Sequence, residues 1–213
     1  MKYTAIALLV LAVLVGTVAA SVKDTSRRAT ETMFPIQHSD GSREYFEGFE
    51  GTVPPAGWIL VQTNVYQTWQ VGLSNPYEGL QKAVCYWDFF YSGPQDEWLK
   101  FDYEIQAGDA TLGFAAYAST YYAIDPFQNY NLVVTIDDVT VWDYYNDNNG
   151  AVTFQWQEYT VDLSAYSVGQ VITVGFGYVG FDGAEGAFDA VWIGGDNSPV
   201  EDTSWGCIKA LYR

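Results

Sequence analysis

Histidine and cysteine are scarce in this chain: among 213 residues there is one histidine, His38, and two cysteines, Cys85 and Cys207. That scarcity excludes a zinc centre, which is built from several thiolates and imidazoles. His38 lies in a polar N-terminal stretch, so a Ser-His-Asp triad has no base to work with. No Gly-x-Ser-x-Gly elbow, phosphate-binding loop or dinucleotide fingerprint occurs either. Positive charge is also in short supply: 9 Lys and Arg stand against 26 Asp and Glu, a formal net charge of −17. Such a surface repels nucleic acids and anionic membranes, and suits divalent cations, neutral glycans or plain solubility outside a cell.

The N-terminus carries an address. Residues 1–20, MKYTAIALLVLAVLVGTVAA, place Lys2 before an apolar run and end on small residues. This is the pattern of a cleaved secretory signal peptide, so the mature protein is expected to be exported, extracellular or at the cell surface. The apolar run is short for a membrane span, and no second one follows. Loss of Lys2 takes the charge from −17 to −18. Residues 21–42 are polar and aperiodic, and read as a flexible linker or pro-segment. The cysteines leave two readings open: a disulfide closing a long loop, worth roughly 4–5 kcal/mol in the chain-entropy model, or two unpaired thiols.

From residue 43 the chain is rich in aromatics (17%) and reads as strands and turns. WLKFDYEIQ puts Leu99, Phe101, Tyr103 and Ile105 on one face and Lys100, Asp102 and Glu104 on the other, the period of a half-buried antiparallel strand. Further strands are expected at 110–119, 131–145, 158–166, 170–181 and 186–195, with a hairpin turn at NDNNGAV (146–152) and a short helical turn at 162–166. Strands at this spacing, without an amphipathic helix, define an all-β sandwich of two antiparallel sheets over 43–196. Residues 197–213 form a separate C-terminal tail, WGCIKALYR at its end, read as a frayed terminus or as a sorting or attachment signal.

Candidate chemistry is thin. Asp102 and Glu104 share a strand face, and Asp137, Asp138 and Asp143 follow in TIDDVTVWD, but these read as solvent faces rather than a glycosidase pair. NDNNG at 146–150 resembles part of a calcium loop, yet Tyr145 stands where the first ligand belongs, so a turn is the stronger reading. Asp182, Glu185 and Asp189 lie among glycines that would let carbonyls approach an ion. Aromatic loops at 85–93 and 119–130 offer Trp87, Tyr91, Tyr121 and Tyr122 as ligand-binding side chains, since sugar rings and protein partners both favour Trp and Tyr.

FEGTVPPAGW (49–58), DEWL (96–99), WQEYTVDLSAYSVGQVITVGFGYVG (156–180) and GAFDAVWIG (186–194), in that order, resemble the cleaved-adhesin or choice-of-anchor J domain. That resemblance implies a MAM-like jelly roll, association with adhesion to host proteins and glycans, and a sorting signal beyond the domain. It also implies a structural calcium ion held by Glu50 and Asp189, brought together by pairing of the first and last strands. Two positions depart from the family. Its Asp-Gly-Asp loop is here Gln62-Thr63-Asn64-Val65-Tyr66, and the second closing Asp is Ala190, so more of the shell would come from carbonyls or water. Glu47, in the first half of the doubled Phe-Glu-Gly, is expected to be a solvated edge residue facing away from Glu50.

The expected function is therefore a non-catalytic extracellular binding or adhesion module for a glycan or protein, with Ca2+ as a structural cofactor. The alternatives are a passive component of a cell envelope or extracellular layer, and a secreted glycoside hydrolase.

Overall fold

The structure, a computed structural model, describes residues 45–91, 93–124, 127–147 and 151–195. The expected signal peptide, linker, C-terminal tail and Cys207 lie outside the described residues. Among the described residues, eleven strands make two antiparallel sheets. They are β1 (Tyr45–Glu47), β2 (Ile59–Val61), β3 (Gln70–Gly72), β4 (Lys82–Cys85), β5 (Gln95–Glu104), β6 (Thr111–Ala118), β7 (Tyr130–Ile136), β8 (Val139–Asp143), β9 (Gln157–Asp162), β10 (Val171–Gly180) and β11 (Gly186–Gly194). One sheet runs β3-β4-β11-β6-β9 with β1 also on β11; the other runs β2-β5-β10-β7-β8. This is the jelly-roll β-sandwich the sequence implies.

Alternation does most of the placing. On β5, Leu99, Phe101 and Tyr103 are buried while Asp96, Asp102 and Glu104 face water. On β10, Ile172, Val174, Phe176 and Tyr178 point inward. Between the sheets, Trp58 stacks on Phe101 at 4.3 Å and Phe176 meets Phe188 edge-on at 4.9 Å. Burying each such side chain stabilises by roughly 1.5–3 kcal/mol. The indole N–H of Trp58 donates to the Tyr45 hydroxyl at 2.8 Å, so the core carries no orphan donor there.

Three local features differ from the sequence reading. Residues 131–145 are a hairpin, not one strand: Asp137 and Asp138, both with positive φ (50° and 63°), turn β7 into β8. Two central residues in that conformation match the type I′ turn, whose twist suits paired strands. The Asp pair is therefore turn chemistry. A single helical turn, α1 (Thr120–Ala123), is capped by the Ser119 hydroxyl, which accepts from the Tyr122 amide. Glu47 is not a solvated edge residue. It is half-buried and its Oε1 accepts the Phe49 amide at 2.6 Å. That bond accompanies a positive φ at Phe49 (53°), which drops the Phe49 ring into the core and throws Glu50 outward.

Cys85 is a free, fully buried thiol, and burial beside Glu97 raises its pKa well above the ordinary value. Lys82 is also buried. Its ammonium meets Glu185 at 2.5 Å and sits over the Tyr117 and Trp156 rings at 4.6 and 5.7 Å. No helix among the described residues is long and apolar enough to cross a membrane.

Candidate ligand-binding site

β4 and β1 share one edge of β11. Phe188 pairs with Ala83 on β4, and Val191 pairs with Glu47 on β1. Asp189 and Ala190 fall at the switch between these partners, where β11 bulges and Ala190 takes a φ of 49°. Asp189 is fully buried. Its Oδ2 accepts the Tyr77 and Glu78 amides at 2.9 and 3.3 Å, and its Oδ1 accepts the Ala190 amide at 2.8 Å. Glu50 reaches the same loop from the other side, its Oε1 accepting the Leu80 and Gln81 amides at 2.6 and 3.2 Å. Gln81, with its amide oriented to satisfy both partners, donates to the Phe49 and Gly51 carbonyls at 3.1 and 2.9 Å.

Burial pushes the Asp189 carboxyl up to about 7 against the pull of its three amides, and the Glu78 charge adds to the rise. A cation there would relieve both pressures. The donor set is small, however: among the described residues no group of three His, Cys, Asp or Glu side chains is placed to hold a metal. An ion at this junction would take Glu50 and Asp189 and fill the rest of its shell from carbonyls and water. Asp182 and Glu185 do not join them. Asp182 accepts from Asn129, and Glu185 from Lys82.

The four aromatic candidates fall into two groups. Trp87 and Tyr91 are half-buried in the loop before β5, where the Tyr91 hydroxyl donates to the Thr63 carbonyl at 3.2 Å. That loop is tied to residues 63–67 by Asn64 donating to Asp88 and Gln95 donating to the Gln67 carbonyl. Beside them Tyr66, Phe89 and Phe90 are 85%, 83% and 92% exposed. Tyr121 and Tyr122 stand on α1, with Phe127 5.1 Å and 6.0 Å from their rings. No hydrogen bond or ring contact joins the two groups among the described residues.

A cleft of about 290 Å³ opens next to α1, lined by Gln128, Asn129, Asn131, Tyr145, Val179 and Phe181, with Ala123, Tyr130 and Gly180 completing it. Its walls are set by backbone ties. The Asn129 amide donates to the Tyr122 carbonyl at 2.8 Å and the Phe181 amide to the Asn129 carbonyl at 3.1 Å. Gly180 matters here because a Cβ would lie 2.4 Å from that of Tyr130, so only glycine lets β10 and β7 close at this end. Asn131 is pinned by Asp143 at 3.0 Å and by the Tyr145 amide at 3.0 Å. Burial raises the Asp143 carboxyl, but bonds from Asn146, Asn131 and two backbone amides outweigh it and leave it below the ordinary value. Tyr145 and Phe181 remain exposed, and Gln128, with φ 52°, keeps its amide free of hydrogen bonds to the described residues.

The sequence reading did not single out Tyr145 or Phe181 as ligand side chains. The signal available was weak: each is an aromatic residue at a strand end beside turn formers. Asp102 and Glu104 stand on the solvent face of β5, and neither lines the cleft.

The fold is that of the cleaved adhesin domains of Lys-gingipain from Porphyromonas gingivalis W83. The K1 domain superposes with a TM-score of 0.53 at 15% identity, over 71% of this chain and 98% of that domain. The K3 domain does so at 0.52 and 18%, over 70% of this chain and 95% of that domain. TmCBM61, solved with β-1,4-galactotriose, aligns at 0.48 and 14%, over 68% of this chain and 92% of that one. No protein-family model matches the sequence, and no curated protein matches it.

Proposed function

We propose that this protein is an exported, non-catalytic binding module that takes a saccharide in the cleft beside α1. The observation that carries the reading is the make-up of that cleft: Tyr145 and Phe181 offer ring faces, Gln128 offers an amide, and Asn129 and Asn131 each keep one N–H beyond those given to Asp182 and Asp143. Sugar rings present apolar C–H faces that stack on aromatics and hydroxyl pairs that match an amide's donor and acceptor. The volume is near the lower end for small-ligand sites, about 300 Å³, which suits a short saccharide. The test is a glycan array followed by calorimetry on the full mature chain. Binding weakened about tenfold or more by Tyr145→Ala supports the reading; no binding to any sugar, or an unaffected Tyr145→Ala variant, overturns it.

Calcium belongs to the proposal as a structural ligand at Glu50 and Asp189. Millimolar calcium should raise the melting temperature relative to chelator, because an ion that binds only the folded state stabilises it by mass action. Asp189→Asn should abolish the difference. An identical melt with and without chelator would remove the ion from the reading.

A second reading, a passive component of an extracellular layer, is favoured by the crest of Tyr66, Phe89 and Phe90. Exposed apolar surface of that kind marks contact with another protein. Sedimentation analysis separates the two: concentration-dependent association lost on Phe89→Ser with Phe90→Ser would favour the layer.

A further inference from the structure

We propose that the crest formed by Val65, Tyr66, Phe89 and Phe90 is a membrane-seating surface that enters the headgroup region of an uncharged or zwitterionic lipid bilayer. None of the four lines the saccharide cleft, so this surface is independent of it.

Two loops build the crest, 62–69 between β2 and β3 and 86–94 between β4 and β5. They are locked to each other. The Asn64 side chain donates to Asp88 at 2.9 Å, Gln95 to the Gln67 carbonyl at 3.0 Å, and the Tyr91 hydroxyl to the Thr63 carbonyl at 3.2 Å. Asn64 is buried, and its backbone amide donates to the buried Glu97 carboxylate at 2.8 Å. On this fixed base the four apolar side chains stand 69%, 85%, 83% and 92% exposed, and the Phe89 and Phe90 rings meet edge to face at 5.6 Å. Rings so exposed stand clear of the domain. Gly186, at the start of β11, pairs with Cys85 just before one crest loop, whereas Ile193, near the end of β11, pairs with Tyr45. The described chain therefore enters and leaves at the far end of β11, roughly 25 Å from the crest at about 3.3 Å per residue.

Three observations select a lipid surface as the occupant. The first is the backbone at the crest. Asn64 Oδ1 accepts the Tyr66 and Gln67 amides at 2.9 and 3.3 Å. Asp88 accepts the Phe90 amide on Oδ1 at 2.9 Å and the Tyr91 amide on its carbonyl at 3.0 Å. A protein partner could supply bonds to such amides, but lipid supplies few or none, so a tip that satisfies its own amides suits a bilayer. The second is the carboxylate at the base of the rings. Asn64 and the Phe90 amide each bond one Asp88 oxygen, which offsets the loss of water around that charge. The third is the scarcity of cations. Lys82 and Lys100 are the only Lys or Arg among the described residues, and Glu185 and Asp138 hold them. The domain therefore offers an anionic lipid no attraction, and its acidic surface repels one. Aromatic side chains by themselves favour the headgroup level of a bilayer.

Cosedimentation of the full mature chain with phosphatidylcholine vesicles tests the crest. The protein should pellet with these vesicles. Replacing about a third of the lipid by phosphatidylserine should weaken the partition at low salt, with recovery as salt is raised. Phe89→Ser with Phe90→Ser should lower the partition about tenfold or more, at an unchanged melting temperature because both rings are exposed. Should that variant melt early, Phe90→Trp decides: bromine-labelled lipid chains should quench its fluorescence more than that of the wild type. Protein that stays in the supernatant with phosphatidylcholine overturns the proposal. So does binding strengthened by phosphatidylserine, binding indifferent to the double substitution, or a Phe90→Trp variant quenched no more than the wild type. Self-association that is lost on the double substitution, without vesicle binding, also overturns it and assigns the crest to a second copy.

Discussion

Glu50 and Asp189 hold one loop from opposite ends: Asp189 accepts the amides of Tyr77 and Glu78, and Glu50 those of Leu80 and Gln81. The arrangement follows from topology. β4 begins and β1 ends at the same point on β11, so the loop before β4 and the turn after β1 both arrive beside Asp189. Amides that would otherwise lack strand partners find carboxylates instead.

Asp189→Asn should therefore destabilise the fold. The asparagine NH2 cannot accept an amide N–H, so at least one donor is left unpaired inside the protein. The expected loss is about 1–3 kcal/mol, read from the midpoint of chemical unfolding. A midpoint equal to wild type would mean that the carboxylate does not hold the loop.

Gly79→Ala should act on the same lock through Glu50. Gly79 has φ 58°, and a Cβ there would lie 1.7 Å from Glu50 Oε1. The substitution both strains the backbone and expels the carboxylate, at a cost of roughly 1–3 kcal/mol. Glu50→Gln should cost less, since it keeps one acceptor. If the alanine variant is the milder of the two, the steric account fails.

The hairpin between β7 and β8 should be improvable. Asp138 sits at φ 63°, a conformation that glycine adopts without penalty. Asp138→Gly gives up an exposed ion pair with Lys100, worth little. Relief of the left-handed backbone, roughly 1–2 kcal/mol, should outweigh the greater unfolded-state entropy of glycine, about 0.4–1 kcal/mol, and be seen as a higher melting temperature. A fall would show that the Lys100 contact outweighs the turn.

Acid should loosen the cleft at one identifiable place. The folded-state value of Asp143 lies below its ordinary 3.8. Its contribution is thus present at neutral pH and is lost as the pH falls through the folded value. Hydrogen exchange of the Tyr145 and Asn146 amides should accelerate in that window in the wild type. In Asp143→Ala the amides should exchange fast already at neutral pH. Acid-insensitive exchange in the wild type would contradict the role given to Asp143.

Much of this protein was legible in the chain itself. Period-two alternation in WLKFDYEIQ and in QVITVGFGYVGF assigns inward and outward faces without any knowledge of partners, because side chains of a strand must alternate. Alternation even puts Gly175 and Gly177 on the outward side of β10. Local chemistry misled where a turn hid inside an apolar run. Asp137-Asp138 lacks the glycine that marks most such turns, and the apolar residues on either side form one unbroken pattern. Regular alternation stops at the end of β1, where Phe49 turns to positive φ, so strand period alone does not place Glu47.

What sequence determined is the period of each strand, and with it the class of fold, since burial of one face is dictated by residue order alone. Which strands lie side by side is decided only by packing between residues far apart in the chain. Pairing of β5 with β10 lays Trp98 on Gly177, although 79 positions separate them in the numbering. Pairing of β4 and β1 with β11 brings Glu50 and Asp189 to one loop. The cleft has the same origin: its residues come from two stretches, 123–145 and 179–181, that meet only because β7 and β10 are neighbours.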